Sequence, residues 1–127
     1  MEKKFNIEVS LNLIVTNEDI DDIMCTALEG GINYWCYKAE VVGEYLGEYG
    51  HEQIARGGTL ELYDMEDDAV YELTCKKLLN GIKLAVEHGY YNDYGWYGGT
   101  CLDTCNVDAC VADTIVQLAI FGEVIYG

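Results

Sequence analysis

The first apolar pattern along the chain is strand-like. Phe5, Ile7, Val9, Leu11, Leu13 and Val15 alternate with mostly polar residues, the period-two signature of a strand that buries one face. At Thr16 or Asn17 the period changes. Either residue can cap a helix whose first turn holds Glu18 and Asp19, where the helix dipole favours acid. Ile20, Ile23, Met24, Ala27 and Leu28 follow at helical spacing. Gly30 is expected to end this helix as a left-handed cap, with residues 32–37 leaving as an extended aromatic segment. The glycines within and around residues 40–53 disfavour a helix, so that stretch reads as irregular with one helical turn.

Residues 59–63 and 69–73 read as two strands of a hairpin, with the polar residues 64–68 as its loop. Thr74 then caps a second helix with the stripe Leu78, Leu79, Ile82, Ala85 and Val86, closed by Gly89. Its outer face carries Lys76, Lys77 and Lys83. Residues 90–106 show no period and read as structureless, a length that in a compact domain usually belongs to function. A last helix is expected from about Val107 to Phe121, with Asp108 near its start and Gly122 at its end. Because Val111, Ile115, Val116, Leu118, Ala119 and Ile120 cover more than one of its faces, that helix should be central. Residues 123–126 suit one more short strand. The order predicts a single α+β domain over residues 1–127, a small antiparallel sheet with about three helices packed on one face.

Composition changes this picture mainly through charge. The 127 residues carry 23 acidic and 7 basic side chains, a formal net charge of -16, yet half of them are apolar, which excludes disorder. Such a charge repels phosphate, so direct binding to a nucleic-acid backbone is excluded as a main function. A chain of this length buries enough surface to fold without disulfides or metal. No apolar core follows Lys3 and Lys4 and no membrane-length apolar run occurs, so a cytoplasmic protein is expected, with no membrane partner. Its six cysteines are then expected to be reduced, against the alternative of a secreted disulfide set.

Catalytic signals are thin. Cys101, Cys105 and Cys110 lie within ten residues, but their spacing is not that of paired zinc knuckles, and buried or loop thiols are the plainer reading. Asp93, Asp103, Asn106, Asp108 and Asp113 gather oxygens without the order of a calcium loop. His88 sits where a helix C-terminus favours its charge. No phosphate-binding loop, dinucleotide fingerprint or zinc-protease signature occurs, so no catalytic residue, metal or cofactor is expected. Aromatics say more. Tyrosine and tryptophan cluster with glycine and asparagine at 29–37 and 90–97, a composition suited to recognition. The candidate contact residues are Glu29, Asn33, Tyr34, Trp35, Tyr91, Tyr94 and Trp96. The plainer reading of Tyr34 and Trp35 is that they belong to the core with their polar tips at its rim.

Glu29-Gly30-Gly31-Ile32-Asn33-Tyr34-Trp35, together with Ala112-Asp113-Thr114-Ile115-Val116-Gln117-Leu118-Ala119-Ile120-Phe121-Gly122-Glu123-Val124-Ile125-Tyr126-Gly127, resembles a group of small acidic proteins of prophages and mobile elements of Gram-positive anaerobes. The resemblance spans nearly the whole chain, including Arg56-Gly57-Gly58, but not the cysteines at 101–110. It implies a setting, that of a phage or mobile-element accessory protein, more than a mechanism. The expectation is therefore a non-catalytic acidic binding protein, an inhibitor that competes with nucleic acid for the groove of a basic nucleic-acid-binding protein. The alternative is a nucleotide-like small ligand held in an aromatic pocket of Asn33, Tyr34, Trp35 and Trp96. A metal-dependent hydrolase ranks third.

Overall fold

The structure, a computed structural model, describes residues 2–8, 12–90, 94–96 and 100–127, with backbone alone at 94–96 and 100. Strand β1 is short, Leu13–Ile14, and helix α1 follows at Asn17–Thr26. Of the two cap candidates Thr16 serves: its hydroxyl accepts from the Asp19 amide at 3.1 Å and the Asp19 carboxylate accepts from the Thr16 amide at 3.0 Å. Strands β2 (Cys36–Val41), β3 (Leu60–Asp64) and β4 (Val70–Leu73) form one antiparallel sheet in that order. The hairpin expected at 59–73 is therefore present, but of the aromatic segment at 32–37 only Cys36 and Tyr37 enter the sheet, at the start of its edge strand β2, while 32–35 form a turn closed by bonds to the Ile32 carbonyl. Helix α2, Cys75–Glu87, is capped by Thr74.

Helix α3, Ala109–Phe121, is capped by Asp108 and ends at Gly122, which takes a left-handed φ of 75°. It is central, as its apolar girth implied: Ala112, Ile115, Val116 and Leu118 are buried, and it packs on α2, α1 and β4. Close approach depends on α2 lacking a side chain at Gly81, where a Cβ would lie 2.5 Å from the Ile115 carbonyl oxygen and 2.9 Å from the Ala119 Cβ. The fold is thus α+β. Leu60, Leu62 and Leu73 face its core, while Glu40, Glu61 and Glu72 stand opposite one another in a row across β2, β3 and β4. Among the described residues no helix is long and apolar enough to cross a membrane.

Four expectations need correction. The alternation at 5–15 yields a strand only at 13–14: Phe5 and Ile7 are 85% and 84% exposed, and residues 9–11 lie outside those described. The partner of β1 is β6 (Thr100–Leu102), which among the described residues pairs with it in parallel, Leu13 opposite Thr100 and Ile14 opposite Cys101. Nor does Gly30 end the first helix. The chain continues through one wide π-type turn, Ala27–Gly31, and its last residue must be glycine, because a Cβ at Gly31 would meet the Ala109 carbonyl oxygen at 2.9 Å. Residues 90–106 hold structure of their own: β5 (Tyr94–Trp96) pairs antiparallel with β6, making a second three-stranded sheet, and a 3₁₀ turn spans Thr104–Asn106. Finally, residues 123–126 form no strand; a side chain takes up their backbone groups, as described below. A smaller difference is Leu79, which lies on the exposed side of α2 at 41%.

Candidate functional site

The predicted contact residues do not converge. Glu29 is exposed on the wide turn after α1. Asn33 is exposed and borders a cleft of about 580 Å³ beside β2, together with Leu28, Ile32, Tyr37 and Met65. Tyr34, half exposed, borders a different cleft of about 490 Å³. Trp35 is 1% exposed and belongs to the core, so the plainer reading holds for it and it cannot line an open pocket with Asn33 and Tyr34. Tyr91 lies outside the described residues, and only the backbone of Tyr94 and Trp96, in β5, is described.

Around Trp35 the chain builds a polar network inside the core. Its indole N–H donates to Asp113 Oδ1 at 2.7 Å, and the Tyr34 hydroxyl donates to Asp113 Oδ2 at 2.5 Å. Gln117, one turn further along α3, donates from Nε2 to Asp113 Oδ1 at 2.9 Å and to the Tyr126 carbonyl at 3.1 Å. Its Oε1 accepts from the amides of Ile125 and Tyr126, both at 2.9 Å. The Tyr126 ring then stacks on Trp35, with centroids 5.5 Å apart and planes 9° apart, and its hydroxyl donates to the buried Asp64 at 2.6 Å. Burial, followed by the hydrogen bond to Asp113, pushes the Tyr34 hydroxyl up to about 12. The hydrogen bond to Asp64 pushes that of Tyr126 up as well. Gln117 and the Tyr126 hydroxyl fasten the last residues onto the core, while Trp35 and Tyr34 hold Asp113.

A second region is built with equal care and turned outward. Residues 42–58, between β2 and β3, are irregular apart from a 3₁₀ turn at Gly50–Glu52. Gln53, 0% exposed, holds them: its Oε1 accepts from the Leu46 amide at 2.8 Å and its Nε2 donates to the carbonyls of Leu46 at 2.9 Å and Tyr49 at 2.8 Å. Glu52 accepts from the amides of Glu48 and Tyr49, which lowers its own carboxyl below the usual range. Arg56 joins Glu52 at 3.1 Å and reaches Asp21 of α1 at 3.8 Å. What this framework presents is apolar. Val42, Tyr45, Leu46 and Tyr49 are 45%, 60%, 41% and 56% exposed, and Glu44 and Glu48 stand beside them in solvent.

Compared with protein-family models, curated proteins and solved structures, the chain matches none. Its chemistry must therefore be read from its own side chains. All six cysteines are free thiols, and burial pushes Cys25 and Cys36 up, Cys25 further through the Glu29 carboxylate, so neither is activated as a nucleophile. Among the described residues no three metal-ligating side chains converge. His51 stacks on Tyr49, with centroids 5.6 Å apart, and His88 caps α2. The loop at 42–58 was not singled out by sequence reasoning. Its signal was present in the tandem Gly43-Glu44-Tyr45 and Gly47-Glu48-Tyr49, two copies four residues apart.

Proposed function

We propose that this is a non-catalytic binding protein that docks on a positively charged protein surface through the loop at 42–58. The carrying observation is the exposure of Tyr45, Leu46 and Tyr49 on backbone fixed by the fully buried Gln53 amide. Ordering a loop has an entropic cost, and here Tyr45, Leu46 and Tyr49 recover only part of it because about half of each stays in solvent, whereas a partner that covers them would supply the rest. Tyrosines held in this way form rigid, amphipathic anchors. Charge supports the choice of partner. The row Glu40, Glu61 and Glu72 adds carboxylates on the adjoining sheet, with Glu40 paired to Lys38 at 2.9 Å and Glu61 and Glu72 opposed as like charges. Carboxylates spaced on a rigid framework project a field like that of phosphates, so the partner in view is a basic nucleic-acid-binding protein, inhibited by occupation of its groove.

The resemblance to small prophage and mobile-element proteins fits such an accessory role in a host cell. The test is competition. A basic protein captured by this chain at low salt should release labelled duplex DNA when the chain is added, and the effect should weaken steeply as salt rises. Simultaneous binding of DNA and this chain by the captured protein would contradict the inhibitor reading.

A further inference from the structure

The cleft at Tyr34 is separate from the loop and has a chemistry of its own. Its walls come from the wide turn at Gly30 and Gly31, from Tyr34, from Asp113 and Thr114 of α3, and from Tyr126 of the terminal segment, around a volume of about 490 Å³. Asp113 is 8% exposed. Its bonding partners Tyr34, Trp35 and Gln117 are all neutral, and among the described residues no lysine, arginine or histidine pairs with it. Three hydrogen bonds offset part of the cost of burying this carboxylate without a counter-charge, and a cation brought to its open side would offset more. Oδ1 already accepts two hydrogen bonds, while Oδ2 accepts one, from Tyr34, and so keeps acceptor capacity. Gly30 adds a second observation: a Cβ built there meets nothing within 4 Å, so alanine would fit a helical turn that it favours over glycine. The space beside the backbone is open without any steric demand from the fold.

We propose that this cleft binds a small organic cation, an ammonium group on a flat apolar body, with the charge directed at Asp113 and the Tyr34 ring and the body lying along Gly30. An aromatic face next to a carboxylate in a largely apolar recess is the arrangement that recognises such ions. Anions are excluded by Asp113, and the protein's net charge of -16 raises the local concentration of cations.

The experiment is a chemical-shift titration of the full chain with three probes of one shape: phenethylammonium, neutral 2-phenylethanol and anionic phenylacetate. Phenethylammonium should shift resonances of Gly30, Gly31, Tyr34 and Thr114, with 2-phenylethanol weaker by about tenfold, a difference of about 1.4 kcal/mol, and phenylacetate inert. Gly30→Ala should keep the fold and raise the melting temperature, and Gly30→Leu should fill the cleft and abolish the shifts. The proposal is overturned if the cation's shifts are absent or spread over the acidic surface instead of the cleft, if phenylacetate binds as well as phenethylammonium, or if folded Gly30→Leu binds unchanged. Since no loop residue takes part, none of these results bears on the docking of a basic protein at 42–58.

Discussion

Two irregular segments of this chain, 42–58 and 122–127, are each held by one fully buried glutamine, and they are used in opposite ways. Gln117 binds the backbone of Ile125 and Tyr126 and turns the Tyr126 ring inward onto Trp35. Gln53 binds the backbone of Leu46 and Tyr49 and leaves their side chains, with Tyr45, in solvent. An amide that both donates and accepts can replace a β-partner for a segment that joins no sheet. The device is the same; only the destination of the aromatic rings differs. In 122–127 the Tyr126 ring repays its ordering by contact with the core, and in 42–58 the rings stay largely in solvent, where the proposed partner would cover them.

Substitution should separate the two segments. The largest effect is expected from Gln117→Leu, which strands two amides, a carbonyl and one bond of the buried Asp113. A loss of about 3 kcal/mol or more is expected in denaturant unfolding, because each orphaned buried polar group keeps its desolvation cost. A loss near zero would mean that the terminal segment is not part of the folded unit. Gln53→Leu should cost less, about 2 kcal/mol, since water can reach the loop's backbone once it loosens. Its signature is hydrogen exchange: the amides at 46–49 should lose protection while those of α3 keep theirs. Uniform loss across both regions would remove the distinction drawn between them. Tyr126→Phe is milder still, lowering the melting temperature by a few degrees through the missing bond to Asp64.

Alkaline titration sharpens the same contrast. Tyr34 is raised from 10.0 to about 12 and Tyr126 is raised as well, whereas an unfolded tyrosine ionises near its ordinary value. The folded state thus holds a proton that the unfolded state releases. Their stabilisation is complete below pH 10 and falls as pH rises toward 12. Phenolate absorbance should show these hydroxyls ionising together with unfolding, and Tyr34→Phe should flatten that fall. An unchanged alkaline limb in Tyr34→Phe would remove Tyr34 from the network.

How far the sequence disclosed all this follows from the range over which each interaction acts. Helices α1, α2 and α3 were readable because their caps Thr16, Thr74 and Asp108 lie within a few residues of the amides they serve. The β3–β4 hairpin was readable for the same reason. The alternation at 5–15 misled because alternation specifies a face but not a partner, and Phe5 and Ile7 find no face to bury. In α3, Asp113 was grouped with the other oxygens of 93–113 and Gln117 drew no reading of its own. Their partners Tyr34 and Trp35 are 78 to 83 residues away in sequence, so nothing local announced the network. Gly30 misled because a glycine near a helix end suggests a left-handed cap, whereas here it lies inside the wide turn without a positive φ. At 42–49 the repeated Gly-Glu-Tyr was visible, but the clamp that gives it meaning comes from Gln53, an inconspicuous residue of a polar stretch.

The smallest effect on the fold and the largest on function are expected from one variant, Tyr45→Ala with Tyr49→Ala. Its melting temperature should match that of the native chain, because neither ring is buried. The decisive measurement is capture of basic proteins from a bacterial host lysate by both chains, immobilised side by side and eluted with rising salt. The native chain should retain a nucleic-acid-binding protein that leaves as salt increases, and the double variant, folded and equally acidic, should retain far less of it. Equal retention by the two chains, or retention indifferent to salt, would contradict the assignment of the loop as the working surface.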